Sequence, residues 1–121
     1  MYKDLKIKKI LVALDGSENS KRAVDYEIKL GQELSADVMA LHVVPAGKYF
    51  PEENSGNATK HDYAYLDNIS EQSVSAGVDL ETQIIKAESS VIDEIAEYAD
   101  KENIDLIVIG IRSVSEFRYM L

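Results

Sequence analysis

The chain has 121 residues, a size that favours one domain spanning residues 1–121 with a core of its own. It contains no cysteine, which excludes disulfides and thiolate metal sites, and no apolar run long enough to span a membrane. With 13 basic and 22 acidic side chains the net charge is −9, which makes duplex nucleic acid a poor partner. The charged start of the chain lacks the apolar segment of a secretory signal. We therefore predict a soluble cytoplasmic protein that binds neither nucleic acid nor membranes, although backbone N–H groups can still bind a small anion.

The first predicted element is a strand, Ile7 to Leu14, in which the apolar run from Ile10 onward is typical of a strand buried on both faces. Asp15, Gly16 and Ser17 end this run, and a helical pattern follows at once. In open α/β sheets, ligands bind at the carboxyl ends of strands where the strand order reverses, so this turn is a candidate binding position. The same residues also suit an ordinary strand–helix turn, with the glycine for backbone freedom and the serine as N-cap.

The first helix is predicted from Ser17 to about Leu34. Its apolar residues recur at a spacing near 3.6 and are Ala23, Val24, Ile28, Leu30, Gly31 and Leu34. Gly31 costs about 1 kcal/mol against alanine in a helix interior, and close packing on the sheet would explain it. Asp37–Val44 is a second strand of the buried type, and the distance along the chain predicts a right-handed parallel crossover. His42 lies inside it and is interpreted as a hydrogen-bonded core residue, because no matching metal ligands accompany it.

The connection from Pro45 to Asn57 is long and rich in proline, glycine and asparagine. Loops of this length inside a compact domain are commonly functional or mobile. Tyr49 and Phe50 within it either cover a ligand or anchor the loop to the surface.

The second half of the chain continues the alternation of helices and strands. Ala58 to Ala76 is predicted as a helix that ends at Gly77, with one face formed by Tyr65, Leu66, Ile69, Ser73 and Ala76. Leu80 to Ala87 is predicted as a strand near an edge of the sheet, because polar residues interrupt it.

Ser90 and Asp93 form a candidate capping box for a third helix reaching about Glu102 and closed by Asn103. The predicted apolar face of this helix is Ile92, Ile95, Ala96 and Ala99. A fourth buried strand, Ile104 to Ile109, precedes Gly110, and the last residues have the pattern of a further helix.

This βαβαβαβ order, with a strand ending Val-Ala-Leu-Asp-Gly-Ser, resembles the universal stress protein family over essentially the whole chain. The most specific stretches are Ile10 to Ser20, followed by Ala23, and Asp105 to Gly110. The resemblance implies an open, doubly wound, Rossmann-like parallel sheet with strand order 3-2-1-4. The fifth strand of the family, which often forms its dimer contact, would be missing from a C-terminally shortened domain.

The resemblance also implies a regulatory protein of stress response that binds ATP or AMP, with Mg²⁺ held through the nucleotide. Asp15 would contact the ribose or the metal–phosphate region and is the candidate Mg²⁺ ligand. Val43 and Val44 would flank the adenine, and Gly110 would approach the phosphates. The full set of candidate residues is Ala13, Leu14, Asp15, Val43, Val44, Gly110, Arg112 and Ser113.

The sequence departs from the nucleotide-binding pattern of the family, which after strand four has Gly, two residues, Gly, nine residues, and Gly-Ser or Gly-Thr. Gly110 matches the first glycine, Ser113 replaces the second, and the final pair would lie beyond Leu121. Serine reaches a positive φ only with strain of about 1 kcal/mol, although its hydroxyl can still donate to phosphate. Arg112 either compensates by pairing with a phosphate or is an ordinary exposed arginine.

Three functions stay open at this point. The first is a nucleotide-binding stress regulator. The second is a stress protein without nucleotide that acts through homo-oligomerisation or protein partners, which Ser113 and an uncovered apolar edge at strand four favour. A slow ATPase ranks last, because the sequence has no Walker lysine motif and no Ser-His-Asp or paired-carboxylate arrangement.

Overall fold

The computed structural model describes residues 6–15, 18–44, 60–88 and 90–110. Four strands and three helices alternate in these ranges: β1 (Lys9–Leu14), α1 (Glu18–Leu34), β2 (Asp37–Val44), α2 (Lys60–Ser75), β3 (Glu81–Lys86), α3 (Val91–Lys101) and β4 (Leu106–Ile109). Every strand pair is parallel, and the order across the sheet is β3-β2-β1-β4. The predicted α/β class and strand order are confirmed. No helix in the described part of the chain is long and apolar enough to cross a membrane.

The apolar runs of β1 and β2 are buried on both faces, as a parallel sheet requires. Alternate residues of β1 point into two separate core layers. Ile10 and Val12 pack under α1 and α2, in the same layer as Val24 and Ile69. Leu11 points the other way, into the layer covered by α3. The core is thus centred on the two middle strands, and β3 lies at an edge, as its polar interruptions predict.

The residues that follow the ends of α2 and α3 are those that the sequence predicts. Gly77 follows α2 with φ +74°, a left-handed conformation that glycine adopts without strain, and Asn103 follows α3 with φ +57°. Ser90 is the N-cap of α3, and its hydroxyl accepts a hydrogen bond from the Asp93 N–H at 3.0 Å. Ala76 lies beyond the last residue of α2 and is exposed, so its predicted place on the buried face is wrong.

Gly31 has the packing role that its helical position predicts. A Cβ atom on Gly31 would lie 2.6 Å from Val38 Cγ1 and 3.3 Å from the Ala36 carbonyl oxygen. Both contacts are closer than packed atoms ordinarily approach. The glycine therefore lets α1 lie directly against β2.

At the same end of the sheet, where the strands begin, Asp105 joins the start of β4 to the start of β1. Its Oδ2 accepts hydrogen bonds from the backbone N–H groups of Lys8, at 2.8 Å, and Lys9, at 3.1 Å. These two hydrogen bonds lower the pKa of the Asp105 carboxyl. The Asp-Leu-Ile-Val-Ile-Gly stretch thus supplies both a strand and the residue that sets its register.

The predicted buried face of α3 is wrong at two of its four residues. Ile92 is 77% exposed and Ala96 is exposed, whereas the side chains that pack on the core are Val91, Ile95, Tyr98 and Ala99. The observed set has the spacing i, i+4, i+7 and i+8, which is as good a helical stripe as the predicted one. Periodicity fits both sets equally well, so only the packing of α3 against the sheet determines which set is buried.

The predicted face of α1 also needs correction. Leu30 and Leu34 are 37% and 43% exposed, while Glu27 is fully buried. Its Oε2 accepts from the Met39 N–H at 3.3 Å, and its Oε1 has no hydrogen-bond partner among the described residues. Burial raises the pKa of Glu27 from 4.5 to about 8, against the opposing effect of backbone hydrogen bonds from Met39 and Val12. The side chain is therefore a neutral acid at pH 7.

Replacement of Glu27 should change how stability depends on pH. The folded state keeps the Glu27 proton up to about pH 8, whereas the unfolded chain releases it near pH 4.5, so stability falls as pH rises through this window. We expect Glu27→Gln to remove that fall, which is of the order of 4 kcal/mol, and to exceed the wild type in stability at pH 8. Urea unfolding at several pH values measures this. Glu33→Gln, an exposed position of the same helix, is the control. Parallel pH profiles for wild type and Glu27→Gln would contradict the assignment.

Alanine substitutions in α3 test which face is buried. Ile95→Ala should lower the free energy of unfolding by about 2 kcal/mol, because it removes methyl groups packed on the core. Ile92→Ala should change it by less than about 0.5 kcal/mol, because that side chain is exposed. Chemical denaturation of both variants measures the difference. Equal losses would show that the face is assigned wrongly.

Candidate functional site

The carboxyl ends of the parallel strands lie together at one edge of the sheet. The register pairs Leu14 with His42 and Ala13 with Ile109. Gly110, which follows Ile109, is therefore level with Leu14, one residue before Asp15. β1 has β2 and β3 on one side and β4 on the other, so the crevice between β1 and β4 is the point where strand order reverses. Asp15 and Gly110, which the sequence singles out separately, come together at this crevice.

A pair of hydrogen bonds holds Asp15 against the first turn of α1. The Asp15 N–H donates to Ser20 Oγ at 3.0 Å, and the Ser20 hydroxyl donates to Asp15 Oδ1 at 2.7 Å. Ser20 is fully buried, while Asp15 is exposed. The carboxylate is thus presented at the edge of the sheet in a defined orientation. Sequence reasoning assigned Ser20 no role, although the residue ends the motif that carries the family resemblance.

Gly110 is required by a close approach of two backbones. A Cβ atom at this position would lie 2.7 Å from the carbonyl oxygen of Asn19 and 3.0 Å from the Cα of Ser20. Any side chain would therefore push the end of β4 away from α1. The β4 end, the β1 end and the first turn of α1 form one closely packed corner.

His42 is the buried, hydrogen-bonded residue that the sequence predicts. Its Nε2 lies 2.9 Å from Asp62 Oδ1, and its Nδ1 lies 3.4 Å from the carbonyl oxygen of Leu14. The ring of Tyr65 packs beside it, with 5.5 Å between centroids and a tilt of 49°. Asp62 was missed by sequence reasoning because its pairing with a residue of β2 depends on how α2 docks. No spacing rule indicates it.

The end of β2 presents backbone rather than side chains. Val43 and Val44 are 4% and 3% exposed, so their side chains belong to the core. β2 runs two residues past the last paired residue of β1, which is Leu14. The carbonyl of Val44 accepts from the Ala87 N–H at 2.9 Å, on the β3 side. A ligand seated here would meet the strand end through its backbone on the β1 side.

The remaining predicted site residues divide into two groups. The side chains of Ala13 and Leu14 are buried, at 5% and 4% exposure, and contribute backbone to the crevice. Several predictions fall outside the described residues, namely those for Gly16, Ser17, Tyr49, Phe50, Arg112 and Ser113. The described part of the chain contains no group of three or more potential ligands that could hold a metal ion.

Comparison with known proteins gives one consistent result. The model of the universal stress protein family matches residues 6–121. Universal stress protein YxiE of Bacillus subtilis strain 168 is 31% identical over 127 residues, which cover 93% of this chain and 84% of the relative.

Solved structures show the same fold. A universal stress protein family member from Burkholderia pseudomallei has a TM-score of 0.76 and 26% identity, covering 95% of this chain and 91% of that one. The universal stress protein from Archaeoglobus fulgidus in complex with dAMP has a TM-score of 0.63 and 23% identity, covering 94% and 89%. The family match over nearly the whole chain, together with the 31% identity, shows that this chain belongs to the universal stress protein family.

Proposed function

We propose that this universal stress protein is a regulator of stress response that binds an adenine nucleotide, AMP or ATP, in the crevice between β1 and β4. The observation that carries the proposal is the juxtaposition of Asp15 and Gly110 at that crevice, each fixed against the first turn of α1. The Archaeoglobus fulgidus relative was solved with dAMP, and this supports an adenine nucleotide as the ligand class.

The corner has groups suited to the sugar and the phosphates. The Asp15 carboxylate, oriented by Ser20, is an acceptor for ribose hydroxyls. The close contact of Gly110 with Asn19 places the end of β4 beside the start of α1, where backbone N–H groups and the helix dipole favour an anion. Arg112 and Ser113, which lie outside the described residues, would add phosphate donors.

The adenine would lie against the ends of β1 and β2. The groups assigned to it are the backbone of Ala13 and Leu14 and the side of the Val43–Val44 backbone that faces β1. Mg²⁺ would arrive with the phosphates of ATP, with Asp15 as its protein ligand. A carboxylate together with phosphate oxygens is the donor set that Mg²⁺ commonly takes in nucleotide sites.

Substitution of Asp15 tests the site directly. Asp15→Ala should weaken AMP binding about tenfold, the size of one hydrogen bond to a charged group, without unfolding the protein. Isothermal titration of nucleotide-free protein measures the affinity. Asp79→Ala, an exposed carboxylate at the opposite edge of the sheet, is the matched control and should leave the affinity unchanged. Absence of AMP and ATP binding to the wild type at millimolar nucleotide would refute the proposed function.

A second function is favoured by the outer edge of the sheet. Within the described ranges, β4 pairs with β1 alone, and its Ile107 and Ile109 are 37% and 59% exposed. An exposed strand edge that carries apolar side chains is a template for pairing with another chain. A stress protein that binds no nucleotide and acts as a homo-oligomer through this edge is therefore the alternative.

Charge placed on the β4 edge tests whether copies of the chain associate there. If copies of the chain associate there, Ile109→Lys should convert an oligomer into a monomer with an unchanged circular dichroism spectrum. Gln83→Lys, an exposed position on β3 at the other edge, is the control and should leave the oligomer intact. Sedimentation velocity measures both. A wild type that sediments as a monomer at all concentrations rules out the oligomer.

A further inference from the structure

The sheet has a second edge, which is formed by β3 and bordered by α2. Within the described ranges β3 pairs with β2 alone, so one side of its backbone has no neighbouring strand there. β3 has 6 residues and a length of about 20 Å, while α2 has 16 residues and a length of about 24 Å. The helix is therefore long enough to border the strand over its whole length.

Two depressions lie between α2 and this edge. One, with a volume of about 370 Å³, is lined by Tyr63, Leu66, Asp67 and Ser70 of α2 and by residues 82–84 of β3. The other, with a volume of about 480 Å³, is lined by Ser70, Ser73, Val74 and residues 77–80, the last of which lead into β3. Because Ser70 lines both, the two depressions form one groove along the edge, named the β3 groove.

The β3 groove presents apolar surface beside the edge of a strand. Tyr63 and Val74, one in each depression, are 57% and 73% exposed, and Leu66 and Ile84 also line the groove. An extended peptide laid beside an edge strand hydrogen-bonds to the free side of its backbone, and alternate side chains of the peptide enter pockets next to the strand. Because side chains of a strand alternate between its faces, every second residue of such a peptide would point into the β3 groove and should be apolar.

The opposite face of the same edge is acidic. Glu81 shares the face of Ile85, which packs in the layer under α3. A third depression, at the start of β3, is lined by four acidic residues, Glu81 among them, and by Lys9 as the one basic residue of the described chain there. The Lys9 Nζ donates to the carbonyl oxygen of Glu102 at 3.1 Å. The remaining residues of the peptide would point to this face, where lysine or arginine would meet carboxylates.

The charges around the edge also restrict which strands can pair with it. Asp67 adds a negative charge to the β3 groove, and no lysine or arginine in the described part of the chain lines that groove. The exposed polar residues of β3, which are Glu81, Gln83 and Lys86, oppose pairing with an arbitrary apolar strand. The edge therefore favours a basic extended segment over an acidic or a wholly apolar one.

We propose that the β3 groove is a docking site for an extended segment of a partner protein in which apolar residues alternate with lysine or arginine. The segment adds one strand beside β3, packs its apolar side chains against Tyr63 and Leu66, and directs its basic side chains toward Glu81. The site lies at the other edge of the sheet from the crevice between β1 and β4, and none of its residues is assigned to the nucleotide. Docking there is therefore independent of nucleotide binding.

A fluorescein-labelled peptide of alternating valine and lysine, capped at both ends, is the probe. Its affinity is measured by fluorescence anisotropy in about 0.15 M salt, which screens the general attraction of an acidic protein for cations. We expect it to bind at least about tenfold more tightly than a peptide in which proline replaces valine, because proline keeps the charge but removes backbone donors. A peptide of alternating valine and glutamate should not bind. Equal affinities for the valine and proline peptides would show attraction by charge alone and overturn the proposal.

A substitution in the groove tests where the peptide binds. Ser70→Lys should weaken binding of the valine–lysine peptide about tenfold, because the longer side chain fills the point where the two depressions meet and repels the basic ligand. Asn68→Lys adds the same charge at an exposed position of α2 that lines neither depression, and should keep the affinity within about twofold of the wild type. Circular dichroism checks the fold of both variants. Equal affinities of the two variants would count against the groove.

Amide hydrogen exchange locates the bound peptide on the wild-type protein. With the valine–lysine peptide bound, amide hydrogens of β3 should exchange about tenfold more slowly, whereas those of β4 should be unchanged. Protection of β4 instead would place the peptide at the other edge of the sheet. Loss of self-association in Gln83→Lys would show that a second copy of this chain occupies the β3 edge. Either result would overturn the proposal.

Discussion

The parallel pairing of β1 on both sides is the constraint on which the rest of this structure depends. β1 is buried on both faces, and its register with β2 and β4 brings three strand ends to one edge. Two further contacts then complete the corner, namely the Ser20 hydrogen bonds and the close approach of Gly110 to α1. None of these features is large in energy by itself. Together they place a carboxylate, a glycine and a helix start at one crevice.

The candidate site is built mainly from backbone, which is how a strongly acidic chain would bind an anion under the proposed function. A net charge of −9 gives no general attraction for phosphate. Local N–H groups at a helix start act over a short range and do not depend on the total charge. Binding of an anion at this site would therefore depend on close approach at Gly110 more than on a cluster of basic side chains.

Nearly every element could be predicted from sequence, because buried parallel strands and turn residues such as Gly77 leave strong local signals. The strand order followed from the resemblance to the universal stress protein family and not from local pattern. The side of a helix that faces the sheet was less predictable. Val91 and Ile92 both fit a helical stripe, and Glu27 occupies a buried position that its charge argues against. The partnership of His42 with Asp62 depends on how two distant elements dock, so no local pattern contains it.

Because β4 is paired over a short length, the packed arrangement of the β1 end, the β4 end and the first turn of α1 should open more readily than the rest of the domain. β4 is joined to β1 over four residue pairs, and no residue of it is fully buried, whereas β1 and β2 pair over six and are buried along nearly their whole length. Segments with few buried contacts open locally at a lower free energy than the whole domain unfolds. Amide hydrogens of β4 should thus exchange before those of β1. The position of Gly110 against α1 would then be only as persistent as the weakest strand of the sheet.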